Sequence, residues 1–301
     1  MPDVTRTVVI TGASSGIGLA GAEALAAAGY EVVLVGRHPG RLSRAVGRVT
    51  RAAGRGRRTT PVRAYRADFA VLDDVRRLGD RINAEVESVD VLVNNAGMLA
   101  PWTHRTGDGH DVTLQVNHLA GFLLSHLLLD KLRHSARSGE PARVITTGSV
   151  AEVWGWLDVD RPAAPLWRYR SRWLAYGASK QANALFTVEA GRRWSGDGVV
   201  ATCFFPGLVQ TRFARSSLLF TMARPMPLVV QPPAVAADTL VWLATAEEAL
   251  VPGGYFAFRQ PFVATPRATS PDRAARLWRA SLAAVGLPGD PPSHSRADRA
   301  A

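Results

Sequence analysis

One cysteine, Cys203, stands in a chain of 301 residues. A single thiol excludes an internal disulfide framework and a thiolate metal cage, and it fits a reducing compartment. Lysine is nearly as scarce: Lys131 and Lys180 are the only two, so almost all of the 36 basic residues are arginine. The most apolar stretch, Leu119 to Leu132, is interrupted by Ser125, His126, Asp130 and Lys131. It falls well short of the roughly 18 unbroken residues of a membrane span. Near the start, Val8-Val9-Ile10 runs straight into glycines, unlike a secretory signal. The seven histidines show no metal-binding spacing, and there is no internal repeat or low-complexity core segment. These absences set the expectation of a cytoplasmic protein with no integral membrane segment and no metal.

Apolar residues make up 47% of the chain and charged residues 20%, the balance of a globular protein. The formal charge of +11 and the run Arg51, Arg55, Arg57, Arg58 invite a nucleic-acid partner. Arginine is scattered along the chain, however, and no nucleic-acid motif accompanies it, so a solvated basic face is expected instead. Short apolar strands alternate with helical segments. Strands are expected at Thr7 to Thr11, Glu31 to Gly36, Val62 to Phe69, Asp90 to Asn94, Arg143 to Thr147, Val199 to Phe205 and Gly254 to Phe258. Helices are expected from about Ile17 to Ala28, from after the turn His38-Pro39-Gly40 to about Ala53, and from Asp73 to Glu87. Others are expected from Asp111 to Arg133, from Ala175 to Trp194 and near Ala234 to Ala246. This order predicts an α/β chain with a doubly wound parallel sheet flanked by helices, a single Rossmann-type domain over residues 1–287. Residues 288–301, PGDPPSHSRADRAA, lack apolar periodicity and are expected to be an unstructured tail.

Three local patterns carry chemistry. Gly12, Gly16 and Gly18 lie between the first strand and the first helix, where glycine lets the backbone turn tightly beside a pyrophosphate held at the helix N-terminus. The second strand ends in Gly36-Arg37 instead of an acidic residue that would bind the ribose hydroxyls. A guanidinium there suits a 2′-phosphate, which favours NADP(H) over NAD(H), with Arg41 as a second candidate contact. Asp68, past the third strand, is a candidate acceptor for the adenine amine or a helix cap. Finally, Tyr176 and Lys180 are four apart, on one face of a helix. At about 5 Å and an effective dielectric of about 20, an ammonium favours the phenolate by roughly 3 kcal/mol, bringing a reference pKa of about 10 toward neutrality. Such a phenol can exchange its proton during hydride transfer with a nicotinamide.

With these residues in view, the chain resembles the short-chain dehydrogenase/reductase family, and within it the branch of retinol dehydrogenases and protochlorophyllide reductases. The resemblance runs from about Thr7 to Phe258. It rests on TGASSGIG at Thr11, Asp68, NNAG at Asn94, Asn117 in VNHLAGFLL, Ser149 in RVITTGS, YGASKQAN at Tyr176 and PGLVQT at Pro206. It implies a dinucleotide site formed by Gly12, Ser14, Ser15, Gly16, Ile17, Gly18, Arg37, Asp68 and Phe69. Asn95, Ala96 and Gly97 are implied beside the cofactor, with Asn94 tying neighbouring strands together. Tyr176, Lys180, Pro206, Gly207, Val209 and Thr211 are implied on the nicotinamide side. As implied catalytic residues, Ser149 hydrogen-bonds the substrate oxygen, Tyr176 exchanges the proton, and Lys180 lowers the tyrosine pKa and holds the ribose. Asn117 would kink its helix around a water and complete a proton relay.

Two features depart from the common pattern. The serine motif reads TTGS where paired serines are commoner, which removes a hydroxyl next to Ser149. A long segment of 26 residues also separates Ser149 from Tyr176, with Trp154, Trp156, Trp167 and Trp173 in it. Trp154, Trp156 and Phe213 are candidate substrate contacts, and residues near 211–231 a candidate lid. The expected activity is NADP(H)-dependent interconversion of a ketone or aldehyde with an alcohol on a bulky, partly apolar small molecule. Reduction of a C=N or C=C bond, a cyclisation or elimination, and a non-catalytic dinucleotide sensor are the alternatives. Peripheral membrane contact through Leu218 to Met222 or a helix near Ala274 to Leu282 is a minor one. The family's frequent dimers and tetramers permit a homo-oligomer.

Overall fold

A computed structural model describes residues 5–56, 60–102, 104–137, 140–162, 171–207 and 231–289. Its centre is an eight-stranded sheet. In chain order the strands are β1 (Thr7–Thr11), β2 (Glu31–Gly36), β3 (Val62–Arg66), β4 (Val91–Asn94), β5 (Ala142–Thr147), β6 (Val199–Phe205), β7 (Tyr255–Ala257) and β8 (Gln260–Pro261). Across the sheet they run β3-β2-β1-β4-β5-β6-β7-β8, all parallel except the final antiparallel β7–β8 pair. The order reverses between β1 and β4, so the crevice for a ligand opens at their carboxyl ends. The apolar strands explain this placement. Every residue of β1 is buried, with Val8 and Ile10 in the core on one face and Val9 in the core on the other.

The face holding Val8 and Ile10 is covered by α1 (Gly16–Ala27), α2 (Pro39–Ala53) and α7 (Pro233–Thr245). The other is covered by α3 (Leu72–Glu85), α4 (Val112–Leu127), α5 (Leu129–Arg137) and α6 (Arg172–Trp194). Two later helices, α8 (Pro266–Thr269) and α9 (Pro271–Ala284), pack on α6. Helix α6 is therefore buried nearly all round: one side meets the sheet and another meets α9.

Three expectations need correction. The third strand stops at Arg66, because Asp68 and the residues after it turn into the loop before α3, with Asp68 Oδ1 accepting from the Ala70 amide at 3.0 Å. The long helix expected from Asp111 to Arg133 is two helices bent by 53°, and the first carries a π turn at Gln115–Leu119. The helix near Ala274 to Leu282 is a core element, since Ala274, Leu277, Trp278, Ser281 and Leu282 are all buried, so its apolar side is not free for a membrane. Among the described residues no single helix is long and apolar enough to cross a membrane. Residues Leu218 to Met222, most of the candidate lid, Val209, Thr211, Phe213, Trp167, and the tail from residue 290 lie outside the described residues.

Candidate active site

The turn after β1 is locked to the end of β4. Thr11 Oγ1 accepts from the amides of Asn95 and Ala96, both at 2.9 Å, and donates to the Val93 carbonyl at 3.1 Å. Asn95 Nδ2 donates to the Thr11 carbonyl at 2.9 Å. Asn95, rather than Asn94, thus joins the neighbouring strands; Asn94 Nδ2 reaches Ser125 Oγ on α4 at 2.8 Å. This closeness explains the glycines. Gly12 has φ +67°, and a Cβ on it would lie 2.9 Å from Ala96 Cα; one on Gly18 would lie 2.5 Å from Asn95 Nδ2. Ser15 starts α1 without a side-chain cap, and no acidic residue occupies the first turn. The leading amides of α1 therefore face the crevice with the positive end of the helix, which fits a dinucleotide pyrophosphate.

At the adenosine end, Arg37 is exposed and its Nη1 lies 3.8 Å from Asp68 Oδ2. Phe69 is buried, and Asp74 Oδ2 accepts from the Asp68 amide at 3.1 Å. Arg37 and Asp68, placed at the ends of adjacent strands, share one edge of the crevice.

At the opposite end, β5 delivers Ser149 and α6 delivers Tyr176 and Lys180. Ser149 Oγ accepts from the Ala151 amide at 3.2 Å, starting the short 3-10 turn Val150–Trp154, and its hydroxyl also bonds Tyr176. Lys180 is buried; its Nζ lies 5.5 Å from the Tyr176 ring centroid and donates to the Thr147 carbonyl at 2.9 Å. The expected acidification of the phenol is not found. Burial pushes Tyr176 up to about 12, against the opposing bond from Ser149, and burial brings Lys180 down to about 8. Desolvation outweighs proximity here, because both charged forms lose water and the ammonium spends its hydrogen bond on a carbonyl.

Asn117 sits in the π turn. Its Oδ1 accepts from the Met98 amide at 2.7 Å, and its Nδ2 donates to the Met98 carbonyl at 3.0 Å and to Ser179 Oγ at 2.9 Å. Ser179 Oγ in turn donates to the Tyr176 carbonyl at 2.7 Å. The extra residue of a π turn thereby aims one amide both at the loop after β4 and at the turn carrying Tyr176. Gly97 lies next to it, where a Cβ would be 3.4 Å from Asn117 Oδ1.

Several contributing residues escaped sequence reasoning. Ser179 and Asn183 flank Lys180, and Asn183 Nδ2 donates to the same Thr147 carbonyl at 3.1 Å. Their spacing from Tyr176 and Lys180 on one helix was the available signal. Glu152 carried none: it is buried, and its two oxygens accept from the Thr265 amide at 2.9 Å and hydroxyl at 2.6 Å. That clamp ties the turn after Ser149 to the loop before α8. Trp154 and Trp156 follow it and are exposed, 59% and 68%, with the Arg267 guanidinium 4.4 Å from the Trp156 ring centroid. They stand on the rim, not in an enclosed pocket. Pro206 and Gly207, with φ +78°, close β6 on the same side of the sheet. Among the described residues no cluster of three or more histidine, cysteine or acidic side chains is arranged to hold a metal.

A parallel sheet with its glycine turn at the switch point, and a serine, tyrosine and lysine gathered at the same edge, define a nicotinamide-dependent oxidoreductase. Comparison with known proteins gives the family. The model of the short chain dehydrogenase family matches residues 6–161. A candidate daunorubicin C-13 ketoreductase of Streptomyces sp. (strain C5) is 44% identical over 283 residues, 93% of each chain. Human retinol dehydrogenase 13 is 37% identical over 94% of this chain and 85% of its own. A solved Pseudomonas aeruginosa RhlG/NADP active-site complex has a TM-score of 0.65 at 25% identity, covering 84% of this chain and 94% of that one. The chain belongs to the short-chain dehydrogenase/reductase family, in its retinol-dehydrogenase-like branch, and is an NAD(P)-dependent enzyme.

Proposed function

We propose that this protein is an NADP(H)-dependent ketoreductase that converts a carbonyl on a bulky, partly apolar small molecule to an alcohol. The carrying observation is the hydroxyl contact between Ser149 and Tyr176, with Lys180 on the next turn of the same helix. The bound cofactor supplies a hydride to the carbonyl carbon. Ser149 and Tyr176 hydrogen-bond the carbonyl oxygen, and Tyr176 gives its phenolic proton to that oxygen as negative charge develops. Lys180, fixed by Thr147, steadies the phenolate left behind and holds the cofactor ribose. Asn117 fixes the loop after β4 against the turn of α6 that carries Tyr176. A phenol held up at about 12 keeps its proton at neutral pH, which is the form that reduction consumes.

The pH dependence follows with a definite sign. Reduction stays flat through neutrality and falls on an alkaline limb as the proton is lost, whereas oxidation of the product alcohol rises over the same limb. Steady-state rates read at the reduced-nicotinamide absorbance, with ring-bearing ketones as substrates, test this. Reduction that instead falls from neutrality toward acid pH, or no turnover across the panel, contradicts the proposal.

Cofactor choice is tested at Arg37, which offers a charge-assisted bond to a 2′-phosphate once it leaves Asp68. Arg37→Ser should weaken NADP+ binding about tenfold, roughly the worth of one such bond, and leave NAD+ binding unchanged. Calorimetric titration of both dinucleotides reads the difference; equal losses for the two remove Arg37 from phosphate recognition. The relatives' names support a ring-bearing substrate: one is named for daunorubicin and the other for retinol. Exposed Trp154 and Trp156 at the rim fit the same class of molecule. No metal, nucleic-acid or membrane component enters this proposal, and a cytoplasmic location is kept as part of it.

A further inference from the structure

Gly148, the residue that breaks the paired-serine pattern, has no room to be anything else. A Cβ built on it would lie 2.3 Å from Tyr255 Oη and 2.7 Å from both Tyr255 Cζ and Cys203 Sγ. The volume of a side chain at this position is thus already filled by the phenol of β7 and the thiol of β6, which stand directly opposite one another in the sheet. Gly148 itself is pinned by its amide, which donates to the Phe204 carbonyl at 2.7 Å. Tyr255 Oη is buried without a regular hydrogen-bond partner. Burial drives its pKa well above the usual phenol value, and the nearby Ser149 amide acts in the opposite direction. Ser149 is also the residue whose hydroxyl bonds Tyr176.

We propose that Tyr255 is a positioning residue of the reaction: its hydroxyl sits beneath the Gly148–Ser149 peptide and holds Ser149 in the rotamer that meets Tyr176. A buried hydroxyl with no full partner costs stability, so a tyrosine here is poorly explained by packing alone. Phenylalanine would fill the same space without that cost. The oxygen occupies the volume that the side chain of a second serine at position 148 would need, so the two solutions exclude each other sterically. The inference rests on the proposed carbonyl reduction, in which Ser149 acts on the substrate oxygen.

The test is Tyr255→Phe, with Gly148→Ser as the second variant. For Tyr255→Phe the melting temperature should stay the same or rise, and NADP+ affinity and KM should be unchanged. Meanwhile kcat should fall about tenfold, the scale of one hydrogen bond. Its alkaline limb should also move to higher pH, because the Ser149 bond that favours the Tyr176 phenolate is loosened. Gly148→Ser should lose about a hundredfold in kcat, since the serine must displace the strand end that carries Ser149. Unchanged kcat with an unchanged pH profile in Tyr255→Phe overturns the inference. So does a parallel loss of melting temperature, cofactor binding and rate, which would mark Tyr255 as a packing residue. A wild-type protein that reduces no carbonyl sinks the proposed function itself, a result distinct from either of these.

Discussion

Tyr176→Phe should reduce turnover by about a thousandfold while leaving dinucleotide binding intact. General acid catalysis typically contributes 10²- to 10⁴-fold, roughly, and the phenol is a proton donor placed against the Ser149 hydroxyl at the carboxyl edge of β5. The substitution removes one oxygen and keeps the ring, so the face of α6 near Lys180 stays filled and the helix is not disturbed. Calorimetry with NADP+ should give the wild-type affinity, and the single-turnover rate should give the loss. A protein built on this fold only to sense dinucleotide would keep its output in this variant, so the measurement separates that alternative from an enzyme. Retention of more than a tenth of the rate would assign the proton to another group.

The largest effect on stability should come from Trp278→Ala. Trp278 on α9 is 2% exposed and lies among Phe122, His126, Phe186 and Trp194, with ring centroids 4.9 to 5.9 Å away. Its indole stacks on Phe186 at an interplanar angle of 8°, and the Arg193 guanidinium lies 4.9 Å from its ring centroid. Emptying this site costs about 3–5 kcal/mol through lost burial and an unfilled cavity. A melting temperature lower by about 10 °C is the expected reading in a chain of this size. Activity measured well below the transition should survive, since none of these rings belongs to the reacting group. A change within a degree or two would show that α9 contributes little to holding α6.

The sheet was legible because its strands are short, apolar and bounded by glycine or charge, and the first turn because its glycines directly follow an apolar strand. The same holds for Tyr176 and Lys180, whose spacing alone puts them on one helical face. Sequence periodicity did not reveal the π turn at Gln115–Leu119 or the bend at Leu128, because the apolar stretch runs on through both. Burial was the second blind spot. Charge separation alone has Lys180 acidifying Tyr176, but withdrawing both groups from water reverses the sign. Cys203 and Tyr255 come from distant strands, so no local spacing could have associated them with Ser149, and Glu152, three residues on, gains its role only from the distant Thr265. The tryptophans after Ser149 were identifiable as a cluster, but only their exposure placed them on the rim.

The two borders of the sheet also constrain how one molecule can meet another. At one border β3 displays Arg63 and Arg66 outward, and Arg63 is engaged with Glu31. At the other, β8 is only two residues long and ends in Pro261, which has no amide to offer. Both features disfavour the addition of a strand from a neighbouring chain at either border of the sheet.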